Sequence, residues 1–268
     1  MTDKLSTRLT VPSAILSKIV EPPSKQLTSS PPNQRSTIDM ALFEIIRFVL
    51  PLHRKPDFVK LREYLSLSGG VKDQYFGGLF APPTAALPVK KDEMCWVIQW
   101  PHDSEMHTNS LFRTQLSELA ETRDAKSLLF HFEDAQISNL TRALEAPICE
   151  FAIINLSSDA PKSNADFKHS MHKTYTDCYR MQGFVGGDWA YAVNTNDTNG
   201  GLVDDEVVRN QWVEEKERRL ACYYLGWESI EAHQAASKTE IFAEEMVKLA
   251  PWFGSGSGAW YVKFEKHV

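Results

Sequence analysis

Long apolar runs and a cationic surplus are both missing from this chain of 268 residues. Its uninterrupted hydrophobic stretches fall far short of the roughly 18 to 20 residues that a membrane-spanning helix needs, which excludes a transmembrane segment. Acidic side chains outnumber Lys and Arg by 35 to 29, and a net charge of −6 has the wrong sign for a protein that mainly binds a phosphate backbone. We therefore expect a soluble protein that binds neither a membrane nor nucleic acid.

Cysteine is scarce: the four cysteines form no CxxC pair and have no neighbouring histidine at a zinc-ligand spacing. We interpret them as reduced core thiols and predict no metal site. The motifs GxGxxG, GxxxxGKS/T, HExxH and GxSxG are absent, so dinucleotide, P-loop, zinc-protease and α/β-hydrolase functions lack support, and no cofactor is predicted. The N-terminus lacks a continuous hydrophobic signal core, which predicts a cytoplasmic protein.

The chain divides into a tail and a repeated region. Residues 1–37 are rich in proline, serine and threonine and contain no aromatic side chain, which predicts a disordered tail. Beyond them, residues 56–81 align with 165–190 without a gap at an offset of 109. The identical pairs are Asp57/Asp166, Phe58/Phe167, Gly77/Gly186, Gly78/Gly187 and Ala81/Ala190. This alignment predicts two repeats, at 38–140 and 141–268.

The same correspondence continues on both sides with small drifts in the offset, as loop insertions between two copies of one unit would produce. Further matches are 95–100 with 222–227, Glu105 with Glu231, His107 with His233, Phe112 with Phe242 and, upstream, Glu44 with Glu150.

Hydrophobic periodicity predicts six elements in each copy. The first copy has predicted strands at 42–50, 75–81, 94–100 and 128–133, and predicted helices at 57–67 and 111–122. The second copy has predicted strands at 149–156, 183–191, 220–227 and 259–266, and predicted helices at 166–179 and 239–249. Ser229 is a predicted helix N-cap, and Ser237 with Glu240 predicts a capping box.

That order is β-α-β-β-α-β, the ferredoxin-like unit. Helices cover one face of such a sheet, and the aromatic residues on the strands are too many to leave the other face in water. Two such faces can close on each other. The predicted fold is therefore α+β, with two tandem ferredoxin-like repeats that form a single-chain barrel.

The residues after the third strand of each copy carry a resemblance to a known family. They are Trp227, Ser229, His233 and Phe242 in the second copy, with Trp100, Glu105, His107 and Phe112 as a degenerate version in the first. Over residues 38–268 the chain resembles the dimeric α+β barrel superfamily, especially the antibiotic-biosynthesis-monooxygenase-like and stress-responsive barrel domains, in the fused tandem form common among filamentous fungi. This resemblance implies a small-molecule cavity in the barrel.

Four side chains are candidates for acid–base catalysis: His131, His233, Glu44 and Glu150. Imidazole exchanges a proton near neutral pH, but the resemblance also allows His233 to hold its short helix against the barrel. Glu44 and Glu150 recur at equivalent places in apolar strands. Inside the barrel their pKa would rise, whereas at the strand entrance they would be solvated charges. His131, where the second copy has Lys263, lines a cavity or faces the helices.

The aromatic side chains that we expect to form the walls of a substrate site are Phe48, Trp100, Phe132, Trp189, Tyr224 and Trp227. The leading functional hypothesis is a cofactor-independent tailoring enzyme of secondary metabolism, an acid–base cyclase, isomerase or decarboxylase acting on a hydrophobic polyketide- or terpenoid-like molecule. A cofactor-free monooxygenase that oxidises an aromatic polyketide with O2 stays open, as does a non-catalytic stress-responsive ligand-binding barrel. The sequence also leaves open a homodimer and which copy holds the cavity.

Overall fold

The structure is a computed structural model that describes residues 40–71, 73–81, 88–101, 105–120, 123–203, 205 and 212–268. The predicted tail, residues 1–37, lies outside the described residues. In these ranges no helix is long and apolar enough to cross a membrane. All four cysteines are buried and free, which confirms the expectation of reduced core thiols.

Ten strands and six α-helices make up the described chain. The strands are β1 (Met40–Val49), β2 (Asp73–Phe80), β3 (Glu93–Trp100), β4 (Lys126–Glu133), β5 (Ile148–Asn155), β6 (Phe184–Tyr191), β7 (Gly201–Leu202), β8 (Leu220–Trp227), β9 (Gly258–Val262) and β10 (Glu265–Lys266). The helices are α1 (Lys55–Ser68), α2 (Ser110–Leu119), α3 (Asp134–Leu144), α4 (Ala165–Thr176), α5 (Ile230–Ala236) and α6 (Glu240–Leu249).

The strands form one curled antiparallel sheet in an α+β fold. Its order is β6-β8-β5-β9-β2-β3-β1-β4-β7, with β10 paired to β2 beside β9. The sheet curls far enough for its two ends to meet, because Phe130 of β4 bridges Ala192 just after β6. The curl creates an inner face shared by the whole sheet and an outer face that helices cover.

Both faces of the central strands are buried. In β1, Phe43 and Ile45 point into the inner core, while Ile46 and Phe48 point to the outer layer under α1 and α2. The inner core is filled by side chains from both halves, and aromatic rings dominate it: Phe43, Phe130, Phe132, Phe151, Tyr224 and Trp260. Within the described residues, these rings fill the space inside the barrel where we expected the substrate cavity.

Helix α3 is the main element that the sequence did not predict. Glu133 and Gln136 form a capping box at its start, and Leu140, Ala143 and Leu144 join the inner core. The helix packs so closely on β8 that a Cβ at Gly226 would come 2.7 Å from Cα of Ala143. The predicted division between residues 140 and 141 falls within α3, and it stays a prediction.

Other boundaries differ by a few residues. The last predicted strand is split into β9 and β10, and α2 ends at Leu119 rather than at residue 122. Ser229 is the N-cap of α5, as expected, because its side chain accepts a hydrogen bond from the Ala232 N–H. The capping box predicted at Ser237 is wrong, since Ser237 ends α5 and Thr239 caps α6 instead.

Candidate functional site

A cavity of about 260 Å³ lies between the outer face of β5, β8 and β9 and the helices α4, α5 and α6. Most of its lining is apolar, including Ile154, Met181, Leu225, Phe242, Met246 and Phe253. Small-molecule sites are typically concave and apolar with a few polar groups, and this cavity is near the lower end of their size range. It therefore suits a small hydrophobic molecule, provided that the polar groups on its wall can do chemistry.

Glu150 is the buried carboxylate on that wall. It pairs with Leu225 near the start of β5 and is only 4% exposed. Its Oε2 accepts hydrogen bonds from Trp227 Nε1 at 3.0 Å and lies 3.2 Å from His233 Nε2, whereas none of the described residues bonds to Oε1. Burial raises the pKa of Glu150, and His233 and Trp227 offset that rise only in part. The free Oε1 is the atom available to a substrate.

A tyrosine completes a chain of three polar groups. Tyr261 lies directly opposite Glu150 in the β5–β9 register, and its hydroxyl is 2.6 Å from His233 Nδ1. With the imidazole protonated at Nε2, Nε2 donates to Glu150 and the Tyr261 hydroxyl donates to Nδ1. Burial, followed by the nearby Glu150 charge, raises the pKa of Tyr261, so this phenol is neutral at pH 7 and stays a donor.

The local sequence explains why His233 meets Glu150. Strand β8 ends at Trp227, and the Ser229 cap starts α5 immediately afterwards. One helical turn then places His233 beside the indole of Trp227, with ring centroids 5.2 Å apart. The His233 side chain retains 16% of its exposure, so the imidazole touches both the buried carboxylate and the solvent side.

Glu44, the carboxylate aligned with Glu150 in the first half of the chain, has different partners. Glu44 is fully buried, and Arg113 binds both of its oxygens, at 2.5 Å and 2.9 Å. Trp100 Nε1 and the Ser127 hydroxyl donate to the same carboxylate, and Arg113 also donates to the backbone oxygen of His107. Every oxygen of Glu44 is thus saturated by protein donors. Our expectation that this glutamate either points into the barrel or is solvated is wrong, because it lies under α2 on the outer face.

Beside Arg113 and Ser127, two of the residues that bind Glu44, the space is almost closed, with a cavity of about 10 Å³. The first half has the larger side chains here, which explains its smaller cavity. Ile46 of β1 pairs with Ser127 of β4, whereas the equivalent pair in the second half is Ala152 of β5 with Ala259 of β9. The sequence alignment that pairs Phe112 with Phe242 puts an alanine, at 243, where the first half has Arg113. The second half therefore keeps both the open space and the unneutralised carboxylate.

The remaining predicted residues lie elsewhere. His131 faces the helix side of β4, where its ring stacks on Trp212 at 5.1 Å, and burial, Arg218 and His107 lower its pKa. Phe48 and Trp100 are buried in the outer layer of the first half, and Phe132 and Tyr224 are in the inner core. Trp189 stacks on Tyr223 at 5.4 Å beside the cavity rather than lining it.

Among the aromatic residues that we predicted as walls, Trp227 alone lines the cavity. Tyr223 lines it as well, although we predicted the adjacent Tyr224. The two tyrosines point to opposite faces of β8, and a strand buried on both faces offers no polar alternation to distinguish them. Tyr261 was also missed as a functional residue. The signal that could have found it is its place opposite the recurring glutamate, where the first half has Leu129.

A cluster of ion pairs connects α4 and α6, two of the helices that cover the cavity. Glu245 of α6 is buried, and Lys173 of α4 contacts it at 2.9 Å while also binding Asp177 at 2.6 Å. Lys248 reaches Glu245 at 2.9 Å from the next turn of α6. Burial alone would raise the pKa of Glu245, but the hydrogen bonds from Lys173 and Lys248 outweigh it and lower that pKa to about 2.

We expect this cluster to make the roof sensitive to acid. A carboxyl whose pKa is lower in the folded state stabilises the fold above its unfolded pKa near 4.5, and the contribution is lost as the pH falls towards 2. The Glu245→Gln variant should therefore show a smaller drop in melting temperature between pH 4.5 and 2 than the wild type. Glu244→Gln, which changes the exposed neighbour on α6, is the matched control. An equal acid response in both variants would contradict the prediction.

Comparisons with known proteins identify the fold. No protein-family model matches the sequence, and no match to a curated protein reaches significance. A proposed monooxygenase from Fusobacterium nucleatum subsp. nucleatum has a similar structure, with a TM-score of 0.52 and 8% identity over 85% of this chain and 94% of that one. A proposed chlorite dismutase has a TM-score of 0.51 and 10% identity over 84% and 95%. The chain thus shares the α+β fold of these two proteins, which agrees with the fold that the resemblance implied.

Proposed function

We propose that the cavity beside Glu150 is the active site of an enzyme that moves protons on a small hydrophobic substrate by general acid–base catalysis. The observation that carries this proposal is the state of Glu150, a buried carboxylate with a raised pKa and one free oxygen on the wall of an apolar cavity. A general base works best when its pKa lies near the operating pH, and desolvation moves a glutamate in that direction.

The reaction begins at an acidic C–H bond next to a carbonyl group, or at a phenol. Glu150 Oε1 takes the proton, the C–H electron pair becomes the enolate, and the negative charge passes to the substrate oxygen. Return of the proton to a different carbon yields an isomer, and attack of the enolate on a second carbonyl yields a ring. Loss of CO2 from a β-keto acid passes through the same enolate, which Glu150 then protonates. We place the hydrophobic polyketide- or terpenoid-like compounds of secondary metabolism in this substrate class.

His233 and Tyr261 support the role of Glu150. With Nε2 protonated, His233 donates to Oε2 of Glu150 and orients the carboxylate, so that Oε1 is left to take and return the substrate proton. Tyr261 holds Nδ1 and thereby keeps Nε2 directed at the carboxylate. Together with Glu150 these residues form an acid–base unit that depends on the β5–β9 register and on α5.

We further propose that the chain consists of two tandem ferredoxin-like repeats, of which the second is the catalytic one. The order strand, helix, two strands, helix, strand holds for β1 to β4 and again for β5, β6, β8 and β9. The strand neighbours agree as well, β4-β1-β3-β2 in one half and β9-β5-β8-β6 in the other. Duplication would free the first copy to fill its cavity with Arg113. Cytoplasmic location and a homodimer stay predictions.

A cofactor-free monooxygenase is the second candidate, favoured by the proposed monooxygenase of F. nucleatum among the similar structures. The first step is the same, since Glu150 would remove a proton from an activated methylene group. The carbanion would then react with O2, so that CH2 and O2 become C=O and H2O. Only the fate of the carbanion distinguishes the two candidates.

Hydrogen–deuterium exchange tests the proposal. We expect the wild-type protein to catalyse exchange of the acidic C–H of β-keto, enone or anthrone compounds in D2O, followed by ¹H NMR, with and without O2. Product formation without O2 supports the acid–base enzyme, whereas product formation coupled to O2 uptake at an electrode supports the monooxygenase. A compound that binds in the cavity and shows neither exchange nor turnover would indicate a ligand carrier and overturn both.

A further inference from the structure

We propose a second ligand site, built from other elements than the Glu150 cavity, in which Arg62 binds the charged group of a small organic acid. The site is a pocket of about 450 Å³ between α1, β2 and the segment that leads into β10. It shares no lining residue with the Glu150 cavity. The residues that carry the argument are Lys55, Phe58, Arg62, Phe76, Gly78 and Lys263.

Arg62 is a buried cation that forms no ion pair within the described part of the chain. The residue is only 7% exposed, and its guanidinium lies 3.6 Å from the ring centroid of Phe76 and 4.8 Å from that of Phe58. Among the described residues none forms an ion pair or hydrogen bond with the guanidinium, and its buried Nε has no partner. Buried charges are normally paired, since desolvation of a lone ion costs several kcal/mol. An anionic ligand would supply the missing partner.

The rim of the pocket adds further positive charge. Lys55 and Lys263 line it, and within the described part of the chain neither forms an ion pair. Glu265 is the one carboxylate in the lining. It lies beyond ion-pair distance of Arg62, although its charge and that of Glu63 still act on the guanidinium. Three cations against one carboxylate make the pocket electropositive in a protein whose net charge is −6.

The walls select the rest of the ligand. Leu50, Phe58, Phe76 and Met94 provide apolar surface, so an inorganic anion would leave most of the pocket unused. Gly78 leaves the floor open, because a Cβ at that position would meet no atom within 4 Å. The planar guanidinium presents paired N–H donors that match a carboxylate. The ligand class is therefore a carboxylic acid with a flat or aliphatic body.

The site is specific to the first half of the chain. The alignment at offset 109 pairs Arg62 with Met171, a residue of α4 whose side chain is buried in the outer core. A packing role at this position thus requires only an apolar side chain. Packing alone does not explain an arginine at this position, and we assign its charge to ligand binding.

Binding of 2-naphthoate to the full chain, measured by isothermal titration calorimetry, tests the site. We expect saturable binding that Arg62→Met weakens at least about tenfold and that Glu265→Gln strengthens, because the competing carboxylate is removed. Gly78→Phe should also weaken binding, since it fills the floor while leaving all three cations. Lys60→Gln is the matched control, as it removes a charge from the exposed side of α1 and should leave the affinity unchanged.

Circular dichroism melting of each variant confirms that it is folded, and the Gly78→Phe variant tests the site independently of Arg62. Absence of saturable binding to the wild type up to millimolar naphthoate would overturn the proposal. Equal affinity for the neutral 2-naphthamide would do so too. Unchanged naphthoate affinity in Arg62→Met and Gly78→Phe would place the probe elsewhere, in the Glu150 cavity or on the surface, and would show that Arg62 only packs.

Discussion

Replacing Arg113 with alanine is expected to lower the free energy of unfolding by about 3 to 5 kcal/mol, because it leaves a buried carboxylate without its cation. Arg113 and Glu44 are 2% and 0% exposed and joined through two hydrogen bonds, so water cannot take over the role of the guanidinium. For a domain of this size that loss corresponds to a drop of roughly 6 to 20 °C in melting temperature. Thermal unfolding followed by circular dichroism measures it.

The cause can be separated from simple loss of packing. Adding Glu44→Gln to Arg113→Ala removes the orphaned charge, so the double variant should be more stable than Arg113→Ala alone. Arg54→Ala is the matched control, since Arg54 pairs with Asp57 at the surface and an exposed pair contributes at most about 1 kcal/mol. If Arg113→Ala were no more harmful than Arg54→Ala, the buried ion pair would not stabilise the fold as predicted.

Replacing Glu150 with glutamine should raise stability near neutral pH and have a large effect on activity. Glu150→Gln keeps an oxygen that accepts from Trp227 and His233 but cannot take a proton, so we expect kcat/KM to fall by about 10²- to 10⁴-fold. Initial rates on the substrate found by the exchange experiment measure this loss. Glu231→Gln, an exposed change on α5, is the control that should retain full activity. Full activity of Glu150→Gln would remove Glu150 from the mechanism.

The pH dependence follows from the raised pKa of Glu150. If the carboxylate is the base, kcat/KM rises with pH through that pKa, above the ordinary value of 4.5. Stability changes in the other direction, since a carboxyl that holds its proton more tightly in the folded state loses stabilisation as the pH rises through its folded pKa. The Glu150→Gln variant lacks this loss, so its melting temperature should exceed that of the wild type at pH 7 to 8. Neutralising Glu150 should thus stabilise the otherwise unchanged protein, whereas neutralising Glu44 is expected to help once Arg113 has been removed.

This contrast also shows why the pair of glutamates can be found from the sequence, whereas the different environments of the two carboxylates cannot. Glu44 and Glu150 stand out because each interrupts an apolar strand at the same position of an aligned segment. Their different states depend on Arg113, 69 residues from Glu44 along the chain, and on Tyr261, 111 residues from Glu150. Neither neighbour is near its glutamate in sequence, so no local pattern could assign the charge.

What the sequence determined by itself is the order of most of the strands and helices. Strand and helix periodicity are local properties, as are the Ser229 cap and the Trp227 and His233 spacing, and the structure has strands and helices where they were expected. The tertiary structure decided the rest. It buried both faces of the strands, inserted α3, filled the barrel with aromatic rings and left a cavity under α4, α5 and α6. The physical reason is that alternation separates the two faces of a strand but cannot say which face meets the other half and which meets the helices.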